Sequence, residues 1–276
     1  MTTATNRLKP EPIAGIVFAA GKGSRMKGYD GNKTLLPLIP RGGPYQGERP
    51  LLLEVLANLP AGPKAIVINH HGDEVRAATA HLQPDYLPQP TTNGTGGALL
   101  AARPFLDRVR ADRVIITMGD VPLVKAATYQ ALLEQLRDRD LMVLAFDPAD
   151  MGQYGRLEWD EDRLQRITEW KYWRDYAPPR LARLRYCNAG IYAARRPLLL
   201  EFMTEMEHNP HRVEKERNGA WVVIEEYFLT DLVEFMARAG RSVGALTVTE
   251  EEVTGVDTPE ALRTIQARYA ERGPRR

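Results

Sequence analysis

The segment Ala19-Ala-Gly-Lys-Gly-Ser-Arg-Met26 combines two glycines with the cations Lys22 and Arg25, and Lys33 follows shortly after. Glycine lets a backbone turn sharply and bring its N–H groups against phosphate oxygens, and nearby cations complete an anion cradle. Taken alone, the loop reads more readily as a strand-to-helix turn with solvated basic residues. Two other phosphate motifs are excluded. Met26 stands where Gly-x-Gly-x-x-Gly needs its third glycine, and Gly31-Asn-Lys33 is not the Gly-Lys-Ser/Thr of a Walker loop. A second cluster is Gln89-Pro-Thr-Thr-Asn-Gly-Thr-Gly-Gly-Ala98. Gly94, Gly96 and Gly97 would let backbone approach a flat ligand, and Gln89 offers the donor and acceptor that a pyrimidine edge requires. An ordinary glycine-rich loop ahead of a helix reads equally well. The third is Met118-Gly-Asp120-Val-Pro-Leu123. A carboxylate at a strand end suits a hard cation, since Mg²⁺ takes one or two protein carboxylates beside phosphate oxygens. Asp257 in Gly255-Val-Asp-Thr-Pro259 is its natural mate, although alone it reads as a helix-entry residue.

The elements around these clusters set where they can meet. Ile13 to Ala20 is a nearly continuous apolar run, as in a strand buried on both faces. Leu51 to Leu59 reads as an amphipathic helix, Lys64 to Ile68 as a strand and Gly96 to Leu106 as a helix. Arg113 to Thr117 is a strand ending near Asp120, Lys125 to Arg139 a helix, and Leu141 to Phe146 a strand. This alternation predicts a doubly wound α/β sheet, whose ligands sit beyond the carboxyl ends of its strands. The Gly21 loop and Asp120 both fall at such ends and should share one crevice. Beyond Asp147 the rhythm changes. Arg156 to Trp159 and Arg163 to Thr168 predict a hairpin, Lys171 to Arg183 an excursion, and Arg185 to Ala193 a strand. His208 to Gly219 is polar and predicts a mobile loop. Glu225 to Ala239 predicts a helix, Val243 to Val248 a strand, and Thr258 to Arg272 a helix capped by Thr258 with Pro259 at its first position.

Composition narrows the partners. The chain has 276 residues, 43% of them hydrophobic, enough for one sizeable core. With 37 basic and 36 acidic side chains the net charge is +1, so no long-range field favours nucleic acid or a membrane surface. The single cysteine, Cys187, rules out an internal disulfide and suits a reducing, cytoplasmic compartment. Residues 1–12 read as a disordered polar lead-in and 13–276 as a single domain with halves at about 13–150 and 151–276. His70-His71, without another histidine at ligand spacing, reads as structural, and Cys187 as a packing residue. Met203 and Met206 suit a helix core, whereas Trp170, Tyr172 and Trp173 suit sugar stacking, core packing or a lid contact alike.

The order of AAGKGSRM, Lys33, QPTTNGTGGA, GDVPL, YGR, Glu169, NAGIY, EYFLTDL and GVDTPEAL resembles the sugar-nucleotide pyrophosphorylases from about Ile13 to Leu262. It looks most like the uridyltransferase domain of bacterial N-acetylglucosamine-1-phosphate uridyltransferases, without the acetyltransferase domain. The resemblance implies a Rossmann-like doubly wound mixed sheet flanked by helices, with a small β-rich sugar-binding lobe. It implies Mg²⁺-dependent transfer from a nucleoside triphosphate, UTP favoured, to N-acetylglucosamine 1-phosphate or glucose 1-phosphate. Ala20, Gly21, Gly23 and Arg25 would meet the triphosphate, Lys33 the reacting phosphate, and Gln89, Gly94 and Thr95 the base. Asp120 and Asp257 would hold Mg²⁺, and Gly155, Glu169 and Asn188 the sugar. The small-molecule substrates are the partners implied, with oligomeric state left open. The chain departs from that uridyltransferase at Asp257 (asparagine there, aspartate in related thymidylyltransferases), at Met118 (tyrosine there) and at Glu169-Trp-Lys-Tyr172. The alternatives are dTTP as donor, a cytidylyl- or molybdenum-cofactor nucleotidyltransferase with a similar loop, and a non-catalytic sugar-nucleotide-binding subunit.

Overall fold

A computed structural model describes residues 12–150, 152–217 and 220–272, so the expected lead-in at residues 1–12 lies outside the described residues but for Pro12. Its strands are β1 (Ile13–Ala19), β2 (Pro37–Gly43), β3 (Gln46–Pro50), β4 (Lys64–Ile68), β5 (Asp85–Pro88), β6 (Arg113–Met118) and β7 (Leu141–Phe146). They continue with β8 (Arg156–Asp160), β9 (Arg163–Thr168), β10 (Cys187–Arg195), β11 (His211–Arg217), β12 (Ala220–Glu226) and β13 (Val243–Val248). The helices are α1 (Leu51–Asn58), α2 (Gly72–Thr79), α3 (Gly94–Ala101), α4 (Arg103–Arg108), α5 (Ala126–Gln135) and α6 (Trp170–Trp173). After them come α7 (Pro178–Leu181), α8 (Arg196–His208), α9 (Asp231–Arg238), α10 (Glu250–Val253) and α11 (Pro259–Glu271).

The main sheet runs β13-β7-β10-β6-β1-β4-β5. β1 pairs in parallel with β4 and β6, and β7 with β13, while β10 runs antiparallel to both β6 and β7. β8 and β9 extend it from β10. The fold is therefore a mixed α/β sheet flanked by helices. β1 reads as unbroken apolar sequence because every one of its residues is buried, between helices on both faces. Ile16 and Phe18 join one core layer with Val67, Val114 and Phe202, and Val17 joins the other with Leu52, Ile66 and Leu132. That division is the period-2 alternation of a strand. Met203 and Met206 are fully buried on α8, as a helix core requires.

A third core layer decides where the site forms. Met26, Leu36, Leu38, Leu51, Leu123, Val256, Leu262 and Ile265 pack together across the carboxyl ends of the strands. Thr258 accepts from the Ala261 amide and caps α11, which leans on the β2–β3 hairpin. The Val256 amide donates to the Asp120 carbonyl at 3.0 Å, so Asp257 is delivered beside Asp120.

Two expectations change. Residues 208–219 do not form a loop throughout: α8 ends at His208, and His211–Arg217 pairs antiparallel with Ala220–Glu226. His211–Arg217 is polar or charged apart from Val213, while its partner strand carries the largely exposed apolar run Trp221-Val222-Val223, a pattern that a strand outside the main sheet tolerates. The helix predicted from Glu225 begins only at Asp231, because Glu225 and Glu226 finish that ribbon.

Candidate active site

A cleft of about 450 Å³ opens at the carboxyl ends of β1 and β6. Ala20, Gly21, Lys22, Lys33, Gln89, Gly94, Thr95 and Asp120 line it, together with Thr92, Met118 and Glu226. Residues far apart in sequence thus share one wall because parallel strands all end on the same side of the sheet.

Lys33 is the electrostatic centre. Its Nζ donates to Asp120 Oδ2 and, at 2.6 Å, to Asp257 Oδ1. Arg25 Nη2 pairs with the other Asp257 oxygen at 2.9 Å. Burial acts to lower the Lys33 pKa, but the two carboxylates outweigh it and hold the ammonium above its ordinary range. Burial alone would raise Asp257, yet Lys33 and Arg25 hold its carboxyl below the usual range. Lys33 therefore stays charged at any working pH. Gly23 sits at φ +62°, and its open Cα face lies against the methylene stem of Lys33. The glycine loop and the lysine are packed together, with Met26 buried beneath as the anchor.

Asn32 holds this arrangement and is missed by motif reading. It is fully buried, and its Nδ2 donates to the Ala19 carbonyl at 2.9 Å and the His70 carbonyl at 2.8 Å. Its Oδ1 accepts from the Thr34 amide and hydroxyl. One side chain thereby fastens the segment before Lys33 to the ends of β1 and β4. An asparagine between Gly31 and Lys33 looks like common turn chemistry, so only burial reveals the role. Glu226 is the other missed residue. It is buried in the cleft wall, hidden in sequence by the exposed-looking run Glu225-Glu226-Tyr227.

The glycines after Gln89 do something other than admit a flat ligand alone. A Cβ on Gly94, whose φ is +94°, would meet the Tyr227 carbonyl oxygen at 2.3 Å, and one on Gly96 would meet the Tyr227 carbonyl carbon at 2.7 Å. The Gly96 amide donates to Tyr227 O, and Thr95 Oγ1 accepts from the Leu229 amide. Gln89 Nε2 donates to Asn93 Oδ1 and to the Gly94 carbonyl. The loop is thus welded to the segment after β12. Gly94→Ala is expected to cost about 2–3 kcal/mol, from left-handed strain plus a backbone clash. Thermal melts of the variant would show a lowered midpoint; an unchanged melt would contradict the packing.

Gly155, Glu169 and Asn188 meet one another at the other edge. The Asn188 amide donates to the Gly155 carbonyl at 2.9 Å, and a Cβ on Gly155 would lie 3.7 Å from both Glu169 carboxylate oxygens. The Asn-Ala-Gly sequence explains how: β10 breaks register between Asn188 and Tyr192, with Gly190 at φ +74° and Asn188 Oδ1 accepting from the Gly190 amide. Met118, in the cleft wall, also packs against Gly190, so the two sets of residues adjoin. Thr230 Oγ1 donates to Glu169 Oε1 at 2.8 Å. Burial pushes the Glu169 carboxyl above its ordinary value, against the pull of Thr230.

The excursion forms α6 and α7 and packs on β8: Trp173 is buried and its Nε1 donates to the Tyr154 carbonyl, next to Gly155. Trp173 is therefore a packing residue. Burial pushes the Cys187 thiol up to about 11, which removes it as a nucleophile. Among the described residues no helix is long and apolar enough to cross a membrane.

Residues 15–190 match the family model described as the MobA-like NTP transferase domain. The bifunctional protein GlmU of Sphingopyxis alaskensis is 34% identical over 264 residues, covering 94% of this chain and 52% of that protein. The GlmU of Rhodopseudomonas palustris is 34% identical over 258 residues, covering 91% and 51% respectively. The chain thus spans about half the length of the curated relatives it matches. Among solved structures, the uridine diphosphate N-acetylglucosamine pyrophosphorylase of Trypanosoma brucei superposes with a TM-score of 0.68 at 15% identity, over 92% of this chain and 65% of that one. A CMP:2-keto-3-deoxy-manno-octonic acid synthetase bound to CTP gives 0.61 at 18% identity, over 95% of this chain and 100% of that one. These two share the fold.

Proposed function

The chain belongs to the MobA-like NTP transferase domain family, and from that premise we propose that it transfers a nucleotidyl group to a sugar 1-phosphate with release of pyrophosphate. UTP is the favoured donor, and N-acetylglucosamine 1-phosphate or glucose 1-phosphate the acceptor. The observation that carries this reading is Lys33, held between Asp120 and Asp257 in the wall of a cleft that the glycine loop also lines. The 34% identity to GlmU and the adjoining polar set Gly155, Glu169 and Asn188 support the acceptor assignment.

The chemistry follows from charge. An oxygen of the sugar phosphate bonds to the α-phosphorus as the bond from that phosphorus to the bridging oxygen breaks, and pyrophosphate leaves. The nucleophile is already anionic, so no base is needed; positioning and charge neutralisation dominate. The amides of Ala20, Gly21 and Gly23 and the Arg25 guanidinium would hold the departing phosphates. Lys33 would neutralise the α-phosphoryl group, its stem steered by Gly23 and its segment pinned by Asn32. Gln89, Gly94 and Thr95 would hold the base. Glu169 would accept from sugar hydroxyls, with one oxygen already fixed by Thr230, and the Asn188 side chain would contact the sugar.

Asp120 and Asp257 fit Mg²⁺. Both are oxygen donors, and both already converge on a single cationic atom, Lys33 Nζ. Bound there, the ion would supply additional positive charge to the phosphates of both substrates.

Glu169 gives a pH signature. Because its carboxyl is held above the ordinary value, it protonates before an exposed glutamate would as pH falls. The KM for the sugar phosphate is expected to climb on that acid side while the KM for the triphosphate stays flat. Glu169→Gln should raise the sugar KM at neutral pH and erase the acid limb. If the limb survives in the variant, another group is responsible.

The deciding experiment measures pyrophosphate release with Mg²⁺, crossing UTP, dTTP and CTP with the two sugar phosphates. Release that requires both substrates supports the reaction, and the best pair names donor and acceptor. Binding of a sugar nucleotide without release from any pair would point instead to a non-catalytic binding subunit.

A further inference from the structure

Outside the cleft, at the carboxyl end of β4, Asp30, His70 and His71 present ligand atoms that all lie within 4.8 Å of one another. We propose that these three residues bind one divalent transition ion of the Zn²⁺ class, at a site separate from the Asp120–Asp257 pair. Imidazole and carboxylate together suit such an ion, whereas Mg²⁺ prefers an all-oxygen shell.

Three independent features point to coordination. First, His71 takes the left-handed backbone conformation at φ 52° without being glycine. In an extended chain, successive side chains point to opposite sides. The left-handed residue breaks that alternation and brings the two imidazoles together, with ring centroids 4.2 Å apart. Second, His71 Nε2 lies 3.7 Å from Asp30 Oδ1, close to the roughly 3.3 Å that separates two ligands of a tetrahedral zinc with bonds near 2.0 Å. Third, His71 Nδ1 lies 2.8 Å from Glu74 Oε1 on the first turn of α2. A carboxylate on Nδ1 fixes the tautomer that leaves Nε2 free to ligate, the arrangement that metal-binding histidines recurrently use. Asp30 is fully exposed, so waters would complete the shell.

The site lies on the seam that carries Lys33. The His70 carbonyl already accepts from Asn32, and an ion joining Asp30 to the two histidines would add a second tie across the same gap. It would brace the segment that positions Lys33 without touching the cleft.

The test is calorimetric titration of the untagged full chain with Zn²⁺, in buffer holding millimolar Mg²⁺ so that oxygen-only sites are occupied. Wild type is expected to bind one ion per chain and to melt higher with zinc. His71→Asn, chosen because asparagine tolerates the left-handed conformation, and Asp30→Asn, at an exposed position, should each weaken binding at least tenfold while melting like wild type without zinc. Glu74→Gln should weaken it about tenfold through the lost orientation. No zinc uptake by wild type overturns the proposal, as does equal uptake by wild type, His71→Asn and Asp30→Asn. The latter result would move the ion to the other histidines, His81, His208 and His211.

Discussion

Lys33→Ala is expected to lower kcat by about three orders of magnitude while the chain still folds. The ammonium is not a casual surface charge: its side chain is 16% exposed, and it stays protonated because Asp120 and Asp257 overcome the penalty of burial. It lies in the cleft wall beneath the glycine loop, where an incoming triphosphate would pass. Removing one preorganised charge from such a site ordinarily costs about 10²–10³ in rate. The stability effect is smaller. The substitution removes a cation from between two carboxylates, but Asp257 is 38% exposed and solvent screens it, so the melt should fall by only a few degrees. Steady-state pyrophosphate release with a parallel melt separates the two effects. Near-normal kcat in a folded variant would remove Lys33 from the mechanism.

Asp120 and Asp257 should respond unequally, although both contact the same lysine. The Asp120 side chain is 13% exposed and faces the cleft, whereas Asp257 is 38% exposed and shared between Lys33 and Arg25. Asp120→Ala is expected to cost 10²–10³ in kcat and to raise the Mg²⁺ concentration needed for half-maximal rate beyond tenfold. Asp257→Asn retains one oxygen, which can still ligate or accept from Lys33, but loses the acceptor for Arg25, so its loss should be nearer tenfold. A Mg²⁺ titration of each variant distinguishes them. Equal losses, or an unchanged Mg²⁺ requirement in Asp120→Ala, would mean that the carboxylates serve to hold Lys33 rather than to bind the ion.

The residues differ in how openly they announced themselves. Gly21, Gly23 and Asp120 were readable because a buried strand followed at once by turn glycines or a carboxylate is a local pattern, and local patterns survive in one dimension, whereas the role of Lys33 came from family resemblance. The β1, β4, β6 and β7 strands were readable for a related reason: strands covered on both faces must be continuously apolar. Gly155, Glu169 and Asn188 were singled out by family resemblance alone, since their polarity fits any strand surface. Asn32 and Glu226 escaped because burial of a polar side chain is a property of its surroundings, and the sequence around each looks solvated. β11 was read as part of a loop because its residues are polar or charged apart from Val213, and a strand outside the core needs no apolar face.

By itself, then, the sequence determined the alternation of strands and helices and the end of the sheet at which the glycine loop and Asp120 meet. Each of these follows from backbone and burial rules that act over a few residues. Only the tertiary structure decided that Asp257 stands beside Asp120, that Lys33 bridges them, and that Gly94 and Gly96 are shaped by Tyr227 as well as by any ligand. Those contacts depend on the third core layer and on single backbone hydrogen bonds such as Val256 to Asp120. They join chain segments far apart in sequence, and pairing over such distances is set by packing of the whole fold, which no local spacing encodes.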